Sequence, residues 1–135
     1  MKATGTYTVK KWDEKIDKEV APEMKTTKAS VEYVFAGEAD GLASVEYLMF
    51  YIYYDAKDQL KSLATFVGLL QFTGSISGKA GSFFVADNGI FENGSASSTL
   101  RIINESGLGE LRQISGTGHY VANQNGYRYE FDYNL

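Results

Sequence analysis

The side chains that could do chemistry in this chain are few. There is no cysteine, so disulfides, thiolate metal sites and cysteine nucleophiles are excluded. The single histidine, His119, rules out a histidine pair for a metal, and as a general base it would need a second group in reach. Asp87-Asn88-Gly89 is too short to be the loop that cradles a hard cation. No metal and no cofactor are expected. Glu46 shares the parity of Leu48, Phe50 and Ile52 in the most apolar stretch, and a carboxylate buried there needs a partner or a raised pKa. Arg101, between Leu100 and Ile102, is a candidate for that partner. A Glu46–Arg101 pair inside the fold would orient a polar ligand group; a structural ion pair is the competing reading. Tyr51, with a phenol on an apolar strand, completes the candidates for ligand binding or acid–base work: Glu46, Arg101, His119 and Tyr51. A half-buried strand histidine is the plainer reading of His119.

Gly107-Leu108-Gly109 and Gly116-Thr117-Gly118 lack the third glycine and the following helix of a dinucleotide loop, and they read as strand turns. No nucleophile-elbow sequence supports a serine triad. Net charge is −4, with the lysines of residues 2–28 interleaved with acids, so the footprint of a nucleic-acid binder is missing.

These residues must be positioned by strands. The 135 residues suit one domain, 1–135, with 44% hydrophobic residues and one proline. Alternation and turn signals predict eight strands, at residues 4–13, 24–36, 42–54, 62–76, 82–92, 95–104, 110–122 and 127–134. Residues 14–24, charged and holding Pro22, read as the one long loop, with a short helical turn allowed within it. Asn93-Gly94 and Asn125-Gly126 are the strongest hairpin signals. Gly89, inside a strand pattern, predicts a bulge or a close approach of backbones. Residues 45–54 are apolar on both parities, so a neighbouring element or subunit is expected to cover the second face. An even number of sequential strands can close on itself and abolish its edges, which favours an eight-stranded antiparallel β-barrel; an open sandwich is the alternative.

Several motifs occur in order along the chain: Ala3-Thr4-Gly5-Thr6-Tyr7, Glu46-Tyr47-Leu48-Met49, Phe66-Val67-Gly68 and Gly81-Ser82-Phe83 come first. Gly89-Ile90-Phe91-Glu92-Asn93-Gly94, Gly107-Leu108-Gly109-Glu110-Leu111, Gly116-Thr117-Gly118 and Phe131-Asp132-Tyr133 follow. Together they resemble a bacterial family of small proteins of unknown function, associated with the allene oxide cyclase-like, calycin-like barrel that the plant dirigent proteins also resemble. The resemblance implies that barrel and no activity. The cyclase's cysteine has no counterpart here, and no glutamate in Tyr7-Thr8-Val9-Lys10-Lys11-Trp12 matches its first-strand acid.

The expected function is binding of a small apolar or amphipathic molecule in a cavity lined by Tyr, Phe and Leu, with Glu46 and Arg101 as the polar points that orient it; most of the ten tyrosines and eight phenylalanines read as ordinary core residues. Alternatives are a cofactor-independent cyclase or isomerase working in the same cavity, and a structural module that forms homo-oligomers. The start of the chain has no apolar signal core and the longest apolar run is too short for a membrane helix, so a cytoplasmic protein without membrane or nucleic-acid partners is expected.

Overall fold

The computed structural model describes residues 1–135. The fold is all-β. Nine strands make one antiparallel sheet: β1 Lys2–Ala21, β2 Met24–Gly37, β3 Ala39–Tyr53, β4 Leu63–Ile76, β5 Lys79–Glu92, β6 Ser95–Ile102, β7 Leu108–Gly109, β8 Ser115–Asn123 and β9 Gly126–Asn134. A single 3-10 turn, Gln59–Lys61, is the whole helical content, and no helix is long and apolar enough to cross a membrane. Successive strands pair from β1 to β6, β6 then pairs β8, β8 pairs β9, and β9 returns to β1, so the sheet closes in a ring. The two-residue β7 sits outside this circuit, on the start of β5. First and last strands are stitched tightly: the Met1 amine donates to the Tyr133 carbonyl at 2.9 Å, and the Tyr133 N–H donates to the Met1 carbonyl at 2.7 Å.

The ring forms because one parity of each strand is apolar. Val31, Tyr33 and Phe35 of β2, Val45, Tyr47 and Met49 of β3, Phe66, Leu70 and Phe72 of β4, and Tyr129, Phe131 and Tyr133 of β9 all point inward and are buried. At one end the rings of Phe35, Phe72, Phe83, Phe131 and Tyr129 pack in contact, with centroids 4.8–6.2 Å apart. Leu111 and Ile114, in the segment between β7 and β8, are buried in the same core. That end is filled.

The wall is uneven. β1 to β5 are 14–20 residues long, whereas β6, β8 and β9 have 8–9. At about 3.4 Å per residue the tall side rises roughly 20 Å above the short one. β1 meets β9 only over Lys2–Thr6, and beyond Thr6 its ladder partner is β2 alone.

Two sequence expectations need correction. Residues 14–24 are not a loop: β1 runs on to Ala21, and a tight turn at Pro22 and Glu23, the latter at φ 65°, leads into β2. Register shifts between Val9 and Lys11, Ile16 and Lys18, and Glu19 and Ala21 break the period-two pattern. Each extra residue moves the inward side chains to the other parity, from Val9 to Trp12, which hides the strand. The seventh strand begins at Ser115 rather than residue 110, because 110–114 turn to bring Leu111 and Ile114 into the core. No element of the chain covers the second face of β3, where Leu48 and Ile52 are exposed, which leaves the subunit alternative of that expectation.

The glycines resolve individually. Asn93 and Gly94 have φ of 53° and 73°, as a type I′ turn demands. The last hairpin turns instead on Gln124 and Asn125, with Gly126 already in β9. Gly89 marks a close approach rather than a bulge. Its pairings to Phe66 and Ser98 run without a shift, and a Cβ there would come 2.6 Å from the Phe66 ring and closer still to the Ser97 carbonyl.

Candidate functional site

The end of the ring opposite the packed phenylalanines is hollow. A cavity of about 440 Å³ opens there, with 16 of its 22 lining residues hydrophobic. That volume lies in the range of small-molecule sites. Its sides are Met49, Ala64, Phe66, Phe91, Ala96 and Ala122; its mouth is framed by Trp12, Glu14, Tyr51, Tyr54, Leu60 and Tyr127; its floor is Tyr7, Tyr33, Tyr47 and Tyr120. The same alternation that builds the core supplies the floor. Tyr33, Tyr47 and Tyr120 occupy inward positions on β2, β3 and β8, and their hydroxyls converge.

Tyr47 is the hub. Its hydroxyl lies 3.0 Å from that of Tyr33 and 2.8 Å from that of Tyr120, and it donates at 2.7 Å to Oδ2 of Asp87. Asp87, on β5, is fully buried behind this floor. Its Oδ1 accepts from the Ser98 hydroxyl, and the Tyr120 hydroxyl lies 3.3 Å from Oδ2. No cation faces it. Burial therefore raises the Asp87 pKa above the ordinary carboxylate value, and the hydrogen bonds from Ser98, Tyr47 and Tyr120 offset this only in part. Burial likewise pushes the Tyr33 phenol up to about 12, and those of Tyr7, Tyr47 and Tyr120 well above their ordinary value. The floor is thus a set of neutral hydroxyls.

One proton per phenol constrains the network. With Tyr47 donating to Asp87, it can accept from Tyr33, and the single Tyr120 proton is shared between the Tyr47 hydroxyl and Asp87 Oδ2. Tyr7 is different. Its ring is wedged among Tyr33, Tyr120 and Tyr127 at 5.1–5.4 Å, yet its hydroxyl has no hydrogen-bond partner in the chain and is not sealed from the cavity.

Glu14 is the carboxylate at the mouth. Its Oε1 accepts from Trp12 Nε1 at 2.9 Å, and its Oε2 accepts from the Thr27 hydroxyl at 2.6 Å and the Tyr51 hydroxyl at 2.8 Å. No lysine or arginine lines the cavity. No group of three or more His, Asp or Glu side chains is placed to hold a metal ion.

The four candidates from sequence fall in different places. Tyr51 lines the cavity and donates to Glu14. Glu46 faces outward, where both its oxygens accept from Ser30 at 2.9 and 2.5 Å. Arg101 is also on the outer face, and two strands separate it from Glu46, so the two are not a pair. His119 is outward with 58% of its side chain exposed; its Nε2 stands 3.7 Å from the Glu130 carboxylate, which Lys2 also contacts at 2.7 Å. The parity of Tyr47, not that of Glu46, faces in, because Val45 and Met49 flank Tyr47 and are buried with it. Tyrosines in the lining match the expected cavity, whereas Asp87, weighed from sequence only as part of a cation loop, belongs to the floor; Phe83, Val85, Asp87, Gly89 and Phe91 share one parity that carries the signal. Glu14 was hidden in the stretch read as a loop.

Comparison with known proteins adds the following. No curated protein matches the chain. A crystal structure of a protein of unknown function from the DUF3224 family of Shewanella oneidensis MR-1 superposes with a TM-score of 0.75. It shares 22% sequence identity, with 100% of this chain and 97% of that one covered, a likeness in fold. The profile of the protein family of unknown function DUF3224 matches residues 3–133. Since that match spans nearly every strand of the ring and its hydroxyl-floored cavity, the chain belongs to the DUF3224 family.

Proposed function

We propose that this chain is a small ligand-binding barrel of the allene oxide cyclase-like kind, and that it takes an apolar molecule carrying one neutral hydrogen-bonding head group. The closed circuit of eight antiparallel strand pairings, completed by β9 returning to β1, supports the barrel. The observation that carries the ligand reading is Tyr7: a phenol at the cavity floor without a hydrogen-bond partner in the chain, beside the bonded hydroxyls of Tyr33, Tyr47 and Tyr120. A ligand hydroxyl or carbonyl would complete it. A carboxylate head is disfavoured. It would lose its water beside Glu14 and above Asp87, with no lysine or arginine lining the cavity to replace that hydration.

Trp12 is the only tryptophan and stands at the cavity mouth, so its emission reports occupancy. The test is a titration with 1-decanol and, separately, sodium decanoate, read by Trp12 fluorescence and by thermal shift. Decanol should bind and decanoate should bind more weakly. Tyr7→Phe should weaken decanol about fivefold, the worth of one neutral hydrogen bond of about 1 kcal/mol. Equal binding of the two compounds, or a Tyr7→Phe variant that binds decanol as the wild type does, would sink the proposal.

A further inference from the structure

The closed sheet keeps one free edge. From residue 7 to residue 21 the outer edge of β1 has no strand beside it, because β9 stops at the Thr6–Arg128 pairing. Free edges invite another strand, and proteins usually blunt them with bulges and lysines. β1 carries both devices, but they bracket rather than cover a regular stretch. The register with β2 is unbroken over residues 11–16, flanked by shifts at Val9/Lys11 and Ile16/Lys18 and by Lys10 and Lys18.

Together with the bulge residue Asp17 that follows it, that stretch reads Lys11-Trp12-Asp13-Glu14-Lys15-Ile16-Asp17. Lys11, Asp13 and Lys15 project from the outer face and have no ion partner in the chain, while Asp17 contacts Lys28 at 3.5 Å. Trp12 and Ile16 lie on the inner face and remain 46% and 55% exposed. Two copies of one strand can pair antiparallel about a two-fold axis only in registers that oppose residues of the same face. Centring on Asp13 opposes Lys11 to Lys15 and Asp13 to itself. Centring on Lys15 opposes Asp13 to Asp17 and Lys15 to itself. Both put like charges together, which is destabilising. Centring on Glu14 instead opposes Lys11 to Asp17, Asp13 to Lys15 and Trp12 to Ile16, each of them twice by symmetry. Only that register makes every outward pair a charge match and every flanking inward pair apolar. Glu14 then meets its own copy, the one like-charge opposition in this register against three in either of the others, with each carboxylate turned to its own Trp12, Thr27 and Tyr51 donors. Beyond Asp17 the bulges and the Lys10–Lys18 opposition end the pairing.

We infer that the free edge of β1 is a homodimer contact, in which residues 11–17 of two copies pair antiparallel about Glu14 and join two rings into one continuous sheet. Trp12 of each copy covers Ile16 of the other beside the cavity mouths.

Light scattering after size exclusion, across about 10–500 µM protein, tests this. The wild type should reach about 30 kDa, twice the 14.9 kDa of one chain. Asp13→Lys sets like charges opposite Lys15 at two symmetric places and should weaken the dimer about tenfold or more. The double variant Asp13→Lys/Lys15→Asp restores both matches and should recover the wild-type dimer. All these side chains are exposed, so circular dichroism should show an unchanged fold. A wild type that stays monomeric overturns the inference. A single variant that dimerises as well as the wild type, or a double variant that fails to recover, overturns the register. A dimer abolished by Leu48→Glu but indifferent to Asp13→Lys would assign the contact to the outer face of β3 instead.

Discussion

Asp87 gives the sharpest test of how the cavity floor is held. Asp87→Asn keeps the shape and one acceptor but removes the ionisable proton. Burial raises the folded-state pKa of Asp87 above its ordinary 3.8. In the unfolded chain the group loses its proton near the ordinary value, so between the two values the native state binds more protons than the unfolded state. Stability must therefore fall as pH rises through that window, by at most about 1.4 kcal/mol per pH unit, and level off above the folded value. This is the reverse of the usual carboxylate, and it is the cost of a buried anion whose partners are three hydroxyls and no cation. The lowered pKa values of Asp55 and Glu130, both on the surface, contribute with the opposite sign, their stability being lost as pH falls. Subtracting the Asp87→Asn curve removes them. Urea unfolding followed by circular dichroism in half-unit steps from pH 3 to pH 8 gives the difference. Wild type minus variant should decline from about pH 4 upward and then flatten. A flat difference, or one that rises with pH, would refute the raised pKa and with it the account of the floor as neutral phenols over a strained acid.

Two glycines should part company. Gly89→Ala drives a Cβ against the Ser97 carbonyl and the Phe66 ring; the ring can swing into the cavity but the carbonyl cannot, so about 3 kcal/mol and roughly 10 °C in Tm should be lost, with weaker decanol binding. Gly94→Ala meets only Leu60 atoms at 3.9 Å and pays for its φ of 73° alone, about 1 kcal/mol, read by the same melts. Tyr47→Phe deprives Asp87 of its 2.7 Å donor and should cost about 2–3 kcal/mol in urea unfolding above the raised Asp87 pKa, and less below it, where the acid is protonated. His119→Gln and Glu46→Gln, on the outer face, should leave both the melting temperature and the decanol titration unchanged; a loss of binding in either would mean that the outer face takes part in the site.

Much of the fold was legible in local pattern. Strict alternation in Tyr127, Tyr129, Phe131 and Tyr133 fixed β9 and its inward face, and Asn93-Gly94 fixed a hairpin by backbone sterics alone. β1 was half legible because pattern reading assumes one parity per strand, and its bulges change parity at Lys10 and Asp17. The site was less legible still. β3 is apolar on both faces, so sequence could not tell whether Glu46 or Tyr47 looks inward; that is decided by the partners Ala29 and Gly68, which put Tyr47 over the cavity. Asp87 sat in plain sight between Val85 and Gly89. Its hydroxyl partners come from β3, β6 and β8, however, and convergence across the ring has no linear signature.

The stitching of β1 to β9 has a consequence for synthesis. Lys2 pairs with Asp132, and the two strands that close the ring are separated by almost the entire chain. During translation β1 leaves the ribosome before its partners and then waits, with both edges open until β2 follows and, over Lys2–Thr6, one edge open until β9 arrives. β1 to β5 can zip as successive hairpins, each adding a neighbour at short loop-closure cost. The last step cannot be shared out in this way. It joins ends more than a hundred residues apart, and only then does the tyrosine floor gain a continuous wall around it. A nascent chain arrested before β9 should therefore be protease-sensitive along β1 while its central hairpins are already protected.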